Sequence, residues 1–159
     1  MLEEETYWTL DGVNYSGMVM WENGIVAPFW ADYEVFAEDG ELRYTLINST
    51  DGTRYLILEW YNVRNWDDPT GSAYTFNAWF ELNTDKVYVN FIDVNQGEAP
   101  DGGAVIGLEN IDGTAGGSNY INTAALPANG SALEMSLLAG AVFLCKLNKL
   151  AASFTREWL

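Results

Sequence analysis

The chain has 159 residues, 48% of them hydrophobic, with 23 acidic against 7 basic residues and a net charge of -16. That length supports one domain with its own core and the apolar fraction excludes intrinsic disorder, while so acidic a surface repels phosphates and excludes nucleic acid as a partner. With no histidine and a single cysteine, Cys145, the sequence also excludes Ser-His-Asp and Cys-His catalysis, histidine-ligated zinc and an intrachain disulfide.

The opening MLEEETYW has neither the basic region nor the apolar run of a secretion signal. Turn signals then recur about every eight to twelve residues. They are Asp11-Gly12, Glu22-Asn23-Gly24, Asp39-Gly40, Asp51-Gly52, Thr84-Asp85, Asp101-Gly102-Gly103 and Asp112-Gly113. Between them lie β-branched and aromatic runs drawn from seven Trp, nine Tyr and seven Phe, which is the pattern of an all-β sandwich or barrel.

Ile25-Val26-Ala27-Pro28-Phe29-Trp30-Ala31-Asp32 runs from an apolar strand onto a carboxylate. YEVFA and ELRYTLI flank Asp39-Gly40, a two-residue hairpin signal. RYLILEWYNV, residues 54–63, is apolar on both faces apart from Glu59 and reads as a central strand. A desolvated Glu59 is a general-acid candidate for a carboxylate-based glycoside hydrolase; the alternative is a buried Glu satisfied by amides, Tyr hydroxyls or an arginine, and no spacing supplies a second acid.

The next loop, RNWDDPTGSA, sets Trp66 beside Asp67 and Asp68. A loop Trp with neighbouring carboxylates can stack a pyranose ring and accept its hydroxyls; a Trp folded back over the end of the sandwich explains the same residues. YTFNAWFELN and KVYVNFID flank Thr84-Asp85 as a second hairpin. A two-residue turn opposes Leu82 to Val87, Phe80 to Val89 and Ala78 to Phe91 on an apolar core face. It opposes Glu81 to Tyr88, Trp79 to Asn90 and Asn77 to Ile92 on a partly wet one. Trp79 and Tyr88 on that wet face are a second carbohydrate-binding candidate.

Two further loops carry oxygen donors suited to calcium: Asp93, Asn95, Glu98 and Asp101 in DVNQGEAPD, and Glu109, Asn110 and Asp112 in ENIDGTAGG. Neither has EF-hand spacing, and turns in which Asp and Asn bond their own backbone use the same residues. The sequons at Asn14, Asn48 and Asn129 matter only in a eukaryotic secretory pathway.

Taken in order, the Pro28-Phe29-Trp30-x-Asp32 block, the hairpin ending in LRYTLI, YLILEWYNV, YTFNAWFEL with KVYVNF, and GGAVIGLENIDGT before NYIN resemble the nidogen-type extracellular domain and its bacterial surface-protein relatives. The resemblance covers roughly residues 15–131. It implies a β-sandwich module of large secreted or cell-surface proteins, used for adhesion or assembly and without catalytic residues. It makes Pro28, Phe29, Trp30 and Asp32 a structural signature, with Asp32 capping a turn or pairing with an arginine.

Strand alternation stops at Leu137. Leu144, Leu147, Ala151, Phe154 and Trp158 then recur at alternating three- and four-residue steps, opposite Lys146, Lys149, Ser153 and Arg156. That pattern predicts an amphipathic helical tail over 137–159 appended to a sandwich over 1–136. The apolar run is far short of the roughly 20 residues of a membrane span. The stripe packs on the sandwich, docks on another subunit, or lies on a membrane surface, which makes Leu144, Leu147, Phe154 and Trp158 interface candidates.

The sequence thus predicts an antiparallel, jelly-roll-like β-sandwich with a C-terminal helix. Its expected role is a non-enzymatic extracellular or cell-surface module that engages a protein partner or its own copies. Carbohydrate binding at Trp66 or the Trp79/Tyr88 face is the alternative, and calcium is the only ion suggested.

Overall fold

A computed structural model describes residues 6–10, 13–17, 25–35, 39–66, 68, 70–84, 86–94, 100, 103–110, 113–121, 126–138 and 141–147. Every regular element among them is a β-strand, and every pairing is antiparallel. β1 (Thr6–Leu10) and β2 (Val13–Gly17) form a hairpin whose closing pair, Leu10 and Val13, brackets the Asp11-Gly12 signal. β3 (Val26–Trp30), β9 (Ala104–Glu109) and β10 (Gly116–Ile121) make a three-stranded sheet in the order β10-β9-β3.

The large sheet has seven strands. From one side they are β12 (Ala141–Leu147), β11 (Ser131–Leu138), β8 (Lys86–Asp93), β7 (Tyr74–Glu81) and β6 (Arg54–Asn65). β4 (Tyr33–Glu34) and β5 (Glu41–Asn48) complete it. Consecutive strands β5 to β8 are neighbours, the chain leaves for the small sheet, and β11 and β12 return beside β8. That is a meander with one excursion, not the paired Greek keys of the expected jelly roll.

The small sheet covers the middle of the large one. Phe29 of β3 and Ile106 and Leu108 of β9 pack on Phe76, Val89 and Phe91. The Phe29 ring lies edge-on to Phe76 at 5.5 Å and to Phe91 at 6.0 Å, the favoured geometry for aromatic pairs. Pro28 and Phe29 are buried, while Trp30 points away from this core and joins Ile25, Ala27 and Val105 in a second, smaller cluster.

Three elements depart from the expected layout. The stretches around Asp39-Gly40 do not form a hairpin, because β4 and β5 both pair with β6, lying end to end along its margin. Tyr33 faces Asn65 and Glu34 faces Arg64, whereas β5 runs from Glu41 opposite Tyr61 to Asn48 opposite Arg54. What favours this layout is the Tyr33 ring, which stacks on Phe29 and packs against Tyr74 and Phe76 at the edge of the core.

In the β7–β8 hairpin Phe80 faces Val87, not Val89, and Trp79 faces Tyr88, not Asn90, a shift of two residues from the expected register. Strand pairing stops at Glu81 and resumes at Lys86, because the Thr84 hydroxyl and amide both donate to the Glu81 carbonyl and Asn83 takes a left-handed conformation at φ 67. An even shift keeps every side chain on its expected face, so Phe80, Ala78, Val87 and Val89 still meet the core.

The expected tail helix is replaced over residues 141–147 by strand β12, paired with β11 from Ala132 opposite Leu147 to Leu138 opposite Ala141. Residues 148–159, with Phe154 and Trp158, lie outside the described residues. In AVFLCKL an apolar majority hides the period, and the free edge of β11 offers hydrogen bonds that a short helix forgoes.

Candidate functional site

The large sheet is wider than the sheet that covers it. At the border, Trp60 stacks flat on Phe76 with centroids 5.0 Å apart and planes 11° from parallel. Beyond Trp60 the same face continues outward, since Leu42 sits opposite Trp60, Tyr44 opposite Leu58 and Leu46 opposite Leu56. Leu42, Tyr44 and Leu46 are 64%, 56% and 58% exposed. Alternation in ELRYTLI puts all three on the core side of the sheet, but among the described residues none of them joins the core cluster under the small sheet.

β5 is also an edge. It pairs with β6 without a register break, and among the described residues no other strand is bonded to it. An edge strand presents alternate N–H and C=O groups outward, and proteins guard such edges with proline, lysine, bulges or brevity. β5 has eight residues, no proline, no lysine and no bulge. An exposed apolar row on an unguarded edge marks a contact surface.

The opposite face of the sheet carries a polar row in register across four strands: Arg43 of β5, Glu59 of β6, Asn77 of β7 and Asn90 of β8. Asn77 is fully buried. Its Oδ1 accepts from Trp79 Nε1 at 2.9 Å and from Asn90 Nδ2 at 2.8 Å, and its Nδ2 donates to Glu59 Oε1 at 3.3 Å. Arg43 donates to Glu41 at 2.6 Å, reaches Glu59 at 3.4 Å and lies 3.7 Å from the centre of the Tyr61 ring. Glu59 is thus a buried member of a structural network, and it shares its guanidinium partner with Glu41.

This face is drier than expected. Trp79 is 2% exposed, with its ring edge-on to Tyr55 at 5.7 Å. It therefore offers no open platform for a sugar. Tyr88 is half-buried and its hydroxyl donates to Glu81 at 2.9 Å; burial first, and then the Glu81 carboxylate, hold its pKa well above the usual phenol value.

Trp66 is different, being 62% exposed on the turn after β6. Its N–H donates to the Asp32 carbonyl at 3.1 Å, so the signature aspartate, exposed to solvent, steadies this turn through its backbone. The Asp68 carboxylate accepts from the Thr70 hydroxyl at 3.3 Å and lies against Gly71, where a Cβ would make it shift. Asp67 lies outside the described residues.

Of the first calcium candidate, only Asp93 is described; it accepts from Asn129 Nδ2 at 2.8 Å, while Asn95, Glu98 and Asp101 lie outside the described residues. Asn129 also accepts the Val94 N–H through Oδ1, so its amide is committed to joining β8 to the turn before β11. Asn110 closes its own turn, accepting from the Ala115 N–H and donating to Thr114. Glu109 is buried with one carboxylate oxygen unpartnered, and burial raises its pKa. Among the described residues no group of three or more metal-ligating side chains converges, and no helix is long and apolar enough to cross a membrane.

Of the interface candidates, Leu144 and Leu147 lie on β12, in register with Met135 and Ala132 of β11. Alternation in ELRYTLI places the β5 row on one face, but its exposure depends on the width of the opposing sheet, which no local pattern carries.

Packed antiparallel sheets, with polar groups engaged in structural networks and an exposed apolar margin among the described residues, define an all-β module. The chain belongs to the NIDO-related family, whose model matches residues 5–141, in agreement with the nidogen-type resemblance. No curated protein and no solved structure is matched by the chain.

Proposed function

We propose that this chain is a non-enzymatic β-sandwich module of an extracellular or cell-surface protein, serving structure and adhesion through protein–protein contact at the β5 margin. Family membership supports the extracellular setting. The observation that carries the contact surface is the exposed row Leu42, Tyr44 and Leu46 on a strand whose one partner among the described residues is β6. Three apolar side chains held in water on one face are a standing cost that a partner removes.

The test is adhesion of beads coated with the protein, presented to the surface of the cells that make it and to beads carrying the same chain. The triple variant Leu42→Ser, Tyr44→Ser, Leu46→Ser alters only exposed positions and should keep its melting temperature within about 3 °C of the parent. It should lose retention on whichever surface holds the parent. Equal retention of variant and parent would remove the margin from the function.

Carbohydrate binding at Trp66 is a second reading, favoured by the exposure of that ring. It predicts that soluble glycans quench tryptophan fluorescence and that Trp66→Ala abolishes the response; a glycan array without signal sets it aside.

A further inference from the structure

We infer that the occupant of the β5 margin is a second copy of the chain, joined by antiparallel pairing of β5 with β5 about a two-fold axis at Tyr44. This deepens the contact reading of the same margin and rests on it. The product is one continuous sheet formed from two large sheets, with each apolar row extended by the other.

The side-chain pattern selects both the partner and the axis. Antiparallel self-pairing sets residues opposite one another symmetrically about its centre, so each centre makes a different set of pairs. With the axis at Tyr44, Leu42 meets Leu46 twice and Tyr44 meets itself on the apolar face. On the other face Arg43 meets Thr45 and Glu41 meets Ile47, so no like charges stand opposed. An axis at Arg43 would oppose two guanidinium-bearing residues. An axis at Thr45 would set Leu42 against Asn48 and break the apolar row.

Arg43, the residue best placed to guard this edge, is turned away from it. Its guanidinium is held on the polar face by Glu41, Glu59 and the Tyr61 ring. Within β5 the one acidic residue, Glu41, balances the one basic residue, Arg43, so the contact is locally neutral although each copy carries a net charge of -16. Long-range repulsion between the acidic bodies then opposes association at low salt and is screened as salt rises. A single-strand contact buries less than the roughly 1,200 Å² of a stable interface, so pairing is weak between free molecules and strong between copies held side by side on a surface.

Sedimentation of the purified protein at increasing concentration, from low salt to about 1 M, is the primary experiment. A monomer–dimer equilibrium is expected, with the dimer favoured by added salt. Leu42→Lys with Leu46→Lys sets lysine opposite lysine twice and should weaken the dimer about tenfold or more. Leu42→Lys with Leu46→Glu sets lysine opposite glutamate twice and should restore it. Tyr44→Cys should oxidise to a disulfide joining the two substituted positions, mapped by mass spectrometry, whereas Leu46→Cys should not. Melting curves confirm that each variant is folded.

A monomer at every salt and concentration, or a dimer indifferent to the paired lysines, overturns self-pairing. If beads bearing the parent still adhere to cells and the triple serine variant does not, the margin remains a contact surface for a different protein. If the serine variant adheres like the parent, the contact reading itself fails.

Discussion

Arg64 grips Asp39 through two parallel hydrogen bonds, Nη1 to Oδ1 and Nη2 to Oδ2, each 2.6 Å long. Arg64 lies on β6 opposite Glu34, so this fork fastens the entry to β5 onto the strand that both β4 and β5 flank. The hydrogen bonds from Arg64 are the main reason the Asp39 carboxyl titrates below the usual aspartate range. A carboxylate whose pKa falls on folding stabilises the protein above its unfolded value, and that contribution is lost as pH falls through the folded one. Arg64→Gln should return the Asp39 pKa toward the ordinary range in an NMR titration and reduce the acid sensitivity of the melting temperature. An unchanged Asp39 titration would mean the fork does not persist in solution.

Asn77 holds three partners at once inside the sheet, so replacing it leaves Trp79, Asn90 and Glu59 each short of a hydrogen bond. Asn77→Ala should destabilise the protein by about 3 kcal/mol, measured by urea unfolding. Asn77→Asp keeps both acceptor contacts but sets a carboxylate against Glu59. Its stability relative to the parent should therefore fall as pH rises and the introduced carboxyl ionises.

Phe29 and Trp30 are neighbours in one signature block, yet they serve different clusters. Phe29→Ala opens a cavity at the centre of the main core and should cost about 3 to 5 kcal/mol. Trp30→Ala, at a partly buried ring against Ala27 and Val105, should cost clearly less. Comparable unfolding midpoints for the two variants would show that the outer cluster matters as much as the core.

Strand β12 closes the β11 side of the large sheet. Ending the chain at residue 140 should uncover the whole outer edge of β11, lower the melting temperature and promote aggregation through that edge. A truncated protein that melts like the parent would make β12 dispensable.

How much of this was legible depends on which physical signal carried it. Strand faces survived even where register did not, because side chains alternate with period two and the β7–β8 hairpin slipped by an even number. The Asp51-Gly52 turn was readable, since Gly52 takes φ 88 and the Asp51 carboxylate receives the Thr53 N–H as turn chemistry requires. Asp39-Gly40 carries the same letters, but a distant guanidinium and the Tyr33 ring decided the pairing there. Asn77 and Trp79 looked like a wet face because sequence alone does not reveal that Asn, Trp and Glu saturate one another. β12 looked helical because an apolar run fits either period. The β5 margin needed knowledge of what does not cover it, which no local pattern encodes.

The pairing of β3 with β9, in which Val26 meets Leu108 across most of the chain, bears on how the molecule is made as well as on what it is. Strands β5 to β8 zip together through connections between sequence neighbours, whereas the small sheet must bring back a segment synthesised long before. Closing so large a loop is slow and comes after local pairing has begun to repay its entropy. The large sheet is therefore the early-forming half, and Phe29 reaches its site late. In kinetic terms, Phe29→Ala should leave the refolding rate nearly unchanged and act by accelerating unfolding, so Phe29 guards the lifetime of the fold, not its speed of assembly.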